Sequence, residues 1–265
     1  MKKVLFVILF LAFLTTSSCA KRTQEEQPKT EDDKLTIELG SCPQRLVTDE
    51  ELIKQLNSLN YDFNTEIEYN GKKYYKQTTN KYFEFAPILW DLTIINGEEI
   101  YVSRYIIHQQ EFLNYNYVDV IGQSYSKKPG VPEKTNSNDY YYSDLREWLN
   151  GNFLSAAFSS EEISKLSKVT IDGLNDYVYT LSKDDVSALT YPCAKPTDYA
   201  KFVGCDVWTN VENDAQFIGN GTSWLRTPNN IHKYRVAAIN YDGLVYEYVD
   251  CYYEGVGVRP AIKLK

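Results

Sequence analysis

Three two-residue turn signals, Asn70-Gly71, Asn96-Gly97 and Asp242-Gly243, constrain this chain more than any other feature. They lie inside "TEIEYNGKKYYKQ", "PILWDLTIINGEEIYVSRYII" and "RVAAINYDGLVYEYV", each flanked by runs rich in β-branched and aromatic residues. The favoured two-residue hairpin turn needs positive φ at its central residues, which Asn, Asp and Gly tolerate. Each stretch therefore predicts an antiparallel hairpin. The second has apolar runs on both sides of its turn, so its strands are expected to be well buried.

Helical signals are fewer and shorter. "TDEELIKQLNSL" has Thr48 three residues before Glu51, a capping-box pattern, with Leu52, Ile53, Leu56 and Leu59 at helical spacing. "YSDLREWLNGNFLSAAFSSEEISKL" predicts two helices: Ser143 caps one that carries Leu145, Trp148 and Leu149 and stops at Gly151, and Ser159 caps the next toward Glu162. "DYVYTLSKDDVSAL" reads as a strand passing into a third helix capped by Ser182. Asn114 to Asp139 is polar and broken by Pro129, Gly130 and Pro132, a long surface loop. Thr190 to Thr222 has no period and reads as an extended loop region. "SWLRT" and "GVRPAIKLK" close the chain as strands. The class is α+β, a mostly antiparallel sheet with two or three short helices and a long loop region.

The N-terminus reads as a leader. Lys2 and Lys3 precede an apolar run, Val4 to Leu14, too short for a bilayer span, which takes about 20 residues. The run ends in "TTSSC", which resembles the lipobox of bacterial lipoproteins, although Thr16 stands where Leu is commonest. Residues 1–18 would then be a signal peptide and Cys19 the lipidated residue; ordinary cleavage after "TSS" would instead leave Cys19 as a free thiol. Ala20 is not the Asp associated with inner-membrane retention, which leans toward an outer-membrane or surface location. Residues 19–34 are nearly devoid of apolar side chains and read as a flexible tether. The remaining 231 residues (265 minus 34) suffice for one large domain, with residues 35–79 as a helix-and-hairpin extension and 80–265 as its body.

With 28 basic and 36 acidic residues and a net charge of −8, the chain would repel nucleic acid. Its 23 tyrosines cluster in "LNYNYVDV", "DYYYSD" and "YEYVDCYYEG". Tyr suits half-buried strands and also makes rigid amphipathic contacts at binding surfaces. Tyr115, Tyr117, Tyr125, Tyr199, Tyr248, Tyr252 and Tyr253 are the candidates for such a surface. Beyond Cys19 there are four cysteines, which an exported chain can oxidise: Cys193 with Cys205, close in sequence, and then Cys42 with Cys251.

Several segments in order, "FEFAPILWDL", "IYVSRYII", "YSDLREWLNGNFLSAAFSSEE", "VYTLSKDD", "TDYAKF", "SWLRTP" and "GVRPAIKL", resemble the bacterial family catalogued as domain of unknown function 6273. The resemblance covers Tyr82 to Leu264 and implies a secreted or surface-attached protein; the family offers no catalytic residues. The arrangement also resembles a C-type-lectin-like fold, which includes the formylglycine-generating enzymes. That likeness implies "SWLR" as a central strand after the long loop and "GVRPAIKL" as a last strand returning near the domain's start. It is an analogy of fold and carries no function by itself.

Other motifs carry little chemistry. Trp90, Trp148 and Trp224 read as core packing whose indole N–H groups need partners. Arg226 and Arg259, at positions where the family keeps arginine, read as buried pairs, with Asp144 or Glu147 as partners, rather than as anion or sugar contacts. Pro260 marks an edge or a strand start. His108 and His232 are far apart and no metal-ligand spacing or cofactor motif occurs. "TPNN" has Pro228-Asn229 but Thr227 where a calcium-dependent lectin has an acid.

These readings together describe a lipid-anchored envelope protein with a non-enzymatic binding domain for a polysaccharide or protein ligand. The alternatives are a structural envelope component and, more weakly, an oxidoreductase related to the formylglycine-generating enzymes, which would need copper and two adjacent reduced thiols.

Overall fold

The computed structural model describes residues 36–119, 125–212 and 214–265, so the leader, Cys19 and the tether lie outside the described residues. The first part of the chain lays down β1 (Thr36–Leu46), helix α1 (Glu50–Ser58), β2 (Thr65–Tyr69), β3 (Lys72–Thr78), β4 (Lys81–Ile95) and β5 (Glu98–Ser103). Both Asn-Gly turns form: Asn70 and Gly71 sit at φ 50° and 74°, and Asn96 and Gly97 at 53° and 79°. Phe83 pairs with both Leu46 and Tyr75, and Trp90 with both Ile37 and Ser103. β4 thus carries β1 along one edge and β3, then β5, along the other. The segment read as an extension is therefore part of the same antiparallel sheet. Helix α1 is capped by Asp49, whose carboxylate accepts from Glu51 and Leu52, and not by Thr48 as its spacing suggested.

The middle of the chain is short pieces: β6 (His108–Gln109), α2 (Asp144–Trp148), α3 (Leu154–Ala157), α4 (Ser160–Lys165), β7 (Leu166–Ser167), β8 (Val169–Ile171), β9 (Leu174–Asp176), β10 (Val178–Tyr179) and α5 (Asp198–Phe202). Ser143 and Ser159 cap their helices as predicted, the latter with a complete capping box. Gly151 does not stop the first helix. It lies in a π-helical turn, Leu149–Phe153, that joins α2 to α3. Ser182 does not cap a third α-helix: residues Asp184–Ala188 form a 3-10 turn, and the Asp185 carboxylate accepts from the Ser182 N–H at 2.7 Å. The region read as structureless contains α5, capped by Thr197.

The last part forms β11 (Ser223–Pro228), β12 (Arg235–Ile239), β13 (Val245–Asp250), β14 (Gly257–Val258) and β15 (Ala261–Leu264). The second sheet runs β13-β12-β11-β14-β6, with the Trp224 strand central, while β15 returns to the first sheet beside β5. The closing run "GVRPAIKL" is thus two strands in two sheets, broken at Arg259-Pro260. Arg259 spans the crossing: its Nε donates to the Ser103 carbonyl and its Nη1 to the carbonyls of Tyr191 and Pro192, at 2.8, 3.0 and 2.9 Å. Three carbonyls replace the carboxylate partner expected from the sequence, and burial pulls this guanidinium down to about 10.

Between the sheets lies a core that includes Trp90, Phe112, Leu145, Leu149, Trp224 and Ile262. Fully burying such a side chain contributes about 1.5–3 kcal/mol. Trp90 and Trp224 donate their indole N–H groups to the carbonyls of Leu39 and Gln110, both at 2.8 Å. Trp148 is half-buried: it packs against this core and also lines a slot beside α2. Gly257 shows how tightly the sheets close: a Cβ there would fall 2.2 Å from Ile106 Cγ2.

Candidate functional site

Strand β13 alternates as a sheet edge should. Val245 and Val249 pack toward the core, while Tyr246 and Tyr248, 53% and 46% exposed, point out. Tyr253 follows in the next turn, 51% exposed, and its hydroxyl donates to Asp206 Oδ2 at 2.7 Å, tying that turn to the loop after α5. Arg235 on β12 faces the same side. Its Nε donates to Asp250 Oδ1 at 2.9 Å, and that hydrogen bond raises the guanidinium above its ordinary value. Arg235, Tyr246, Tyr248, Asp250, Tyr253 and Asp206 line a shallow cleft of about 360 Å³.

The cleft combines aromatic faces with a fixed donor–acceptor pair. Tyr246 and Tyr248 stand 5.9 Å apart, and the Arg235 guanidinium lies 6.0 Å from the Tyr248 ring centre. The Tyr252 hydroxyl donates to Asp250 Oδ2 at 3.3 Å, and the Tyr252 ring meets exposed Tyr115 edge-on at 5.2 Å. Of the predicted tyrosines, Tyr248 and Tyr253 thus line the cleft, Tyr252 reaches it through Asp250, and Tyr115 packs on Tyr252 beside it. Such rings offer contact area at low entropic cost, and the ion pair can engage planar or hydroxylated groups.

The other three tyrosines lie elsewhere. Tyr199 is 7% exposed, packed by α5 against Phe83 and His108, away from the tyrosine cleft. Tyr117 packs against the core, and Tyr125 forms a β-bridge with Asn136 inside the long loop. Sequence reasoning missed Arg235, Tyr246 and Asp206; alternation along "VYEYVD" points to Tyr246, whereas Asp206 arrives from a distant loop.

A second, polar cavity of about 400 Å³ opens between the long loop and the β11–β12 turn, lined by Asn136, Asp139, Tyr141, Asp172, Asn230 and Lys233 among others. Burial, with Asp172 nearby, holds the Asp139 carboxyl above its ordinary value. Asn138 fixes the wall: its Nδ2 donates to the carbonyls of Asn229, His232 and Arg235 at 2.9, 3.2 and 2.7 Å. Asn229 in turn donates to the Glu247 carbonyl at 2.9 Å, filling a bulge in β13. Arg226, at the edge of this cavity, pairs with Asp185 at 3.1 Å and donates to the Thr180 carbonyl at 2.8 Å. The expected partners Asp144 and Glu147 instead hold Lys128, because α2 faces the long loop.

The expected disulfides are not formed: Cys42, Cys193, Cys205 and Cys251 are all free. Cys205 Sγ packs toward Gly257 and Gly221 and Cys193 Sγ toward Gly243, so nearness in sequence does not bring the two thiols together. The wider loop region is held by other contacts: Trp208 stacks on Tyr241 at 3.9 Å, and Gly221 donates to the Ala194 carbonyl at 2.9 Å. Burial pushes the Cys42 and Cys205 thiols up to about 12. Among the described residues no group of three His, Cys, Asp or Glu is placed to hold a metal ion, and no helix is long and apolar enough to cross a membrane.

The model of the family described as Domain of unknown function (DUF6273) matches residues 99–265. The chain belongs to this family. No curated protein and no solved structure matches it. The DUF6273 span holds the whole tyrosine cleft and the polar cavity, while β1 to β4 precede it and complete its first sheet.

Proposed function

We propose that this DUF6273 protein is a non-enzymatic binding module that takes a polysaccharide on its tyrosine cleft. The observation that carries the reading is the row of exposed Tyr246, Tyr248 and Tyr253 around the Arg235–Asp250 pair. Sugar rings present C–H faces that stack on aromatic rings, and hydroxyls that pair with a carboxylate and a guanidinium held in fixed geometry. The cleft is open and shallow, which suits a polymer passing across it more than a small substrate enclosed for reaction.

The leader and Cys19 support attachment of the module to a bacterial envelope through lipid, on the outer membrane or surface, with residues 19–34 as its tether. The central Trp224 strand and the closing strand that returns beside β5 support a C-type-lectin-like relation. Binding of soluble polysaccharides to the chain, compared with a Tyr246→Ala, Tyr248→Ala variant, tests the reading. Saturable binding lost in the variant supports it; equal binding by both sinks it.

A further inference from the structure

We infer that the tyrosine cleft selects a polysaccharide whose sugars carry free, protonated amino groups, and that Asp206 sets this preference. The inference rests on the binding reading above and adds to it the charge of the ligand. Three charged side chains line the cleft: Arg235, Asp250 and Asp206. Arg235 and Asp250 offset each other, and both Asp250 oxygens are engaged, Oδ1 by Arg235 and Oδ2 by Tyr252. Among the described residues Asp206 has no basic side chain within ion-pair distance; its carboxylate meets only the Tyr253 hydroxyl. One guanidinium stands against two carboxylates, so the lining is net negative.

The Asp206 carboxylate is held in place without a counter-charge. Its Oδ2 accepts from the Tyr253 hydroxyl at 2.7 Å, and its backbone N–H donates to the Gly255 carbonyl at 2.9 Å. A Cβ on Gly255 would fall 2.0 Å from the same Oδ2, so only a residue without a side chain lets this turn close on the carboxylate. Asp206 is nevertheless exposed, as are Tyr246, Tyr248 and Tyr253. An exposed aromatic row beside a fixed, unpaired carboxylate favours a cation. Ring faces attract an ammonium through their quadrupole, and the carboxylate attracts it by charge. A neutral N-acetylated sugar gains neither, and a uronate or phosphate polymer is repelled. The chain's net charge of −8 acts in the same direction at longer range, drawing a polycation and opposing a polyanion.

The test measures, by calorimetry on the full chain in detergent, the affinity for oligomers of β-1,4- and β-1,6-linked glucosamine. Each oligomer is used as the free amine and after N-acetylation, at about pH 6, where such amines are protonated. At least one free-amine oligomer is expected to bind saturably, about fivefold or more tighter than its acetylated form. Asp206→Asn keeps an acceptor for Tyr253 and removes the charge, so affinity for the amine falls about fivefold and its advantage over the acetylated form disappears. Raising the salt from about 0.1 M to about 1 M narrows the same gap. Acetylated oligomers that bind as well as the amines, with binding lost in the Tyr246→Ala, Tyr248→Ala variant, overturn the selection and leave the polysaccharide reading standing. Amine binding that Asp206→Asn does not weaken also overturns it. So does a lack of binding by all four probes, and binding of other polysaccharides then judges the broader reading separately.

Discussion

Arg235 and Asp250 form an ion pair across β12 and β13, Nε to Oδ1 at 2.9 Å, and the same carboxylate accepts from the Tyr252 hydroxyl. One acidic side chain therefore sets the spacing between the tyrosines of β13 and those of the following turn. Asp250→Asn keeps the shape and removes the charge. Because the pair is part-exposed, the change should cost at most about 1 kcal/mol of stability while weakening polysaccharide binding about fivefold or more. Thermal unfolding and affinity electrophoresis, run side by side, read the two effects.

Asn138 is expected to matter for stability instead. Its buried amide serves three carbonyls of the β11–β12 turn. Asn138→Ala leaves the buried Asn229 carbonyl without its donor, at a cost of about 1–3 kcal/mol, while the His232 and Arg235 carbonyls keep backbone N–H partners. Urea unfolding should show a midpoint well below that of the unmodified chain, at an unchanged slope. An unchanged midpoint would mean that the turn finds water or other donors.

The hairpins were legible in the sequence because an Asn-Gly turn between alternating strands is decided locally. Ser143 and Ser159 were legible for the same reason. What the sequence hid depends on distant partners. Tyr199 is buried by α5, a helix of five residues, too short to show a period in a region otherwise read as loop. Arg226 takes Asp185, and not a residue of α2, because the 3-10 turn after β10 brings that carboxylate to β11. Of the cleft, the Tyr-rich stretch announced itself, but Arg235 and Asp206 join it through strand pairing and loop packing that spacing does not reveal.

The His108 ring gives a pH signature. Its burial holds the pKa below the ordinary value of about 6.5. Cys42, Tyr75, Tyr199 and the Glu66–Lys73 pair share its surroundings. Above about pH 6.5 both folded and unfolded states keep the ring neutral, and its contribution to stability is fully present. As pH falls below that value the unfolded state takes the proton first, so the contribution is lost down to the folded pKa. The stability advantage of the chain over His108→Asn should therefore shrink from about pH 7 to about pH 5. Paired urea titrations at those pH values check it; a constant gap contradicts the buried neutral ring.

Thiol counting checks the cysteine assignment. Leu35 to Lys265, denatured without reductant, should yield four titratable thiols: Cys42, Cys193, Cys205 and Cys251. In the native state Cys193, half-buried where the others are buried, should react first. A shortfall of one pair in the denatured count would show that a disulfide forms.

The binding reading stands or falls on one titration. Leu35 to Lys265 is presented to an array of cell-envelope and extracellular polysaccharides, with and without calcium, beside its Tyr246→Ala, Tyr248→Ala variant. The account predicts saturable, calcium-independent binding to at least one polysaccharide, reduced about tenfold or more in the variant. Folded protein that binds nothing on the array, or a variant that binds as well as the unmodified chain, would contradict it.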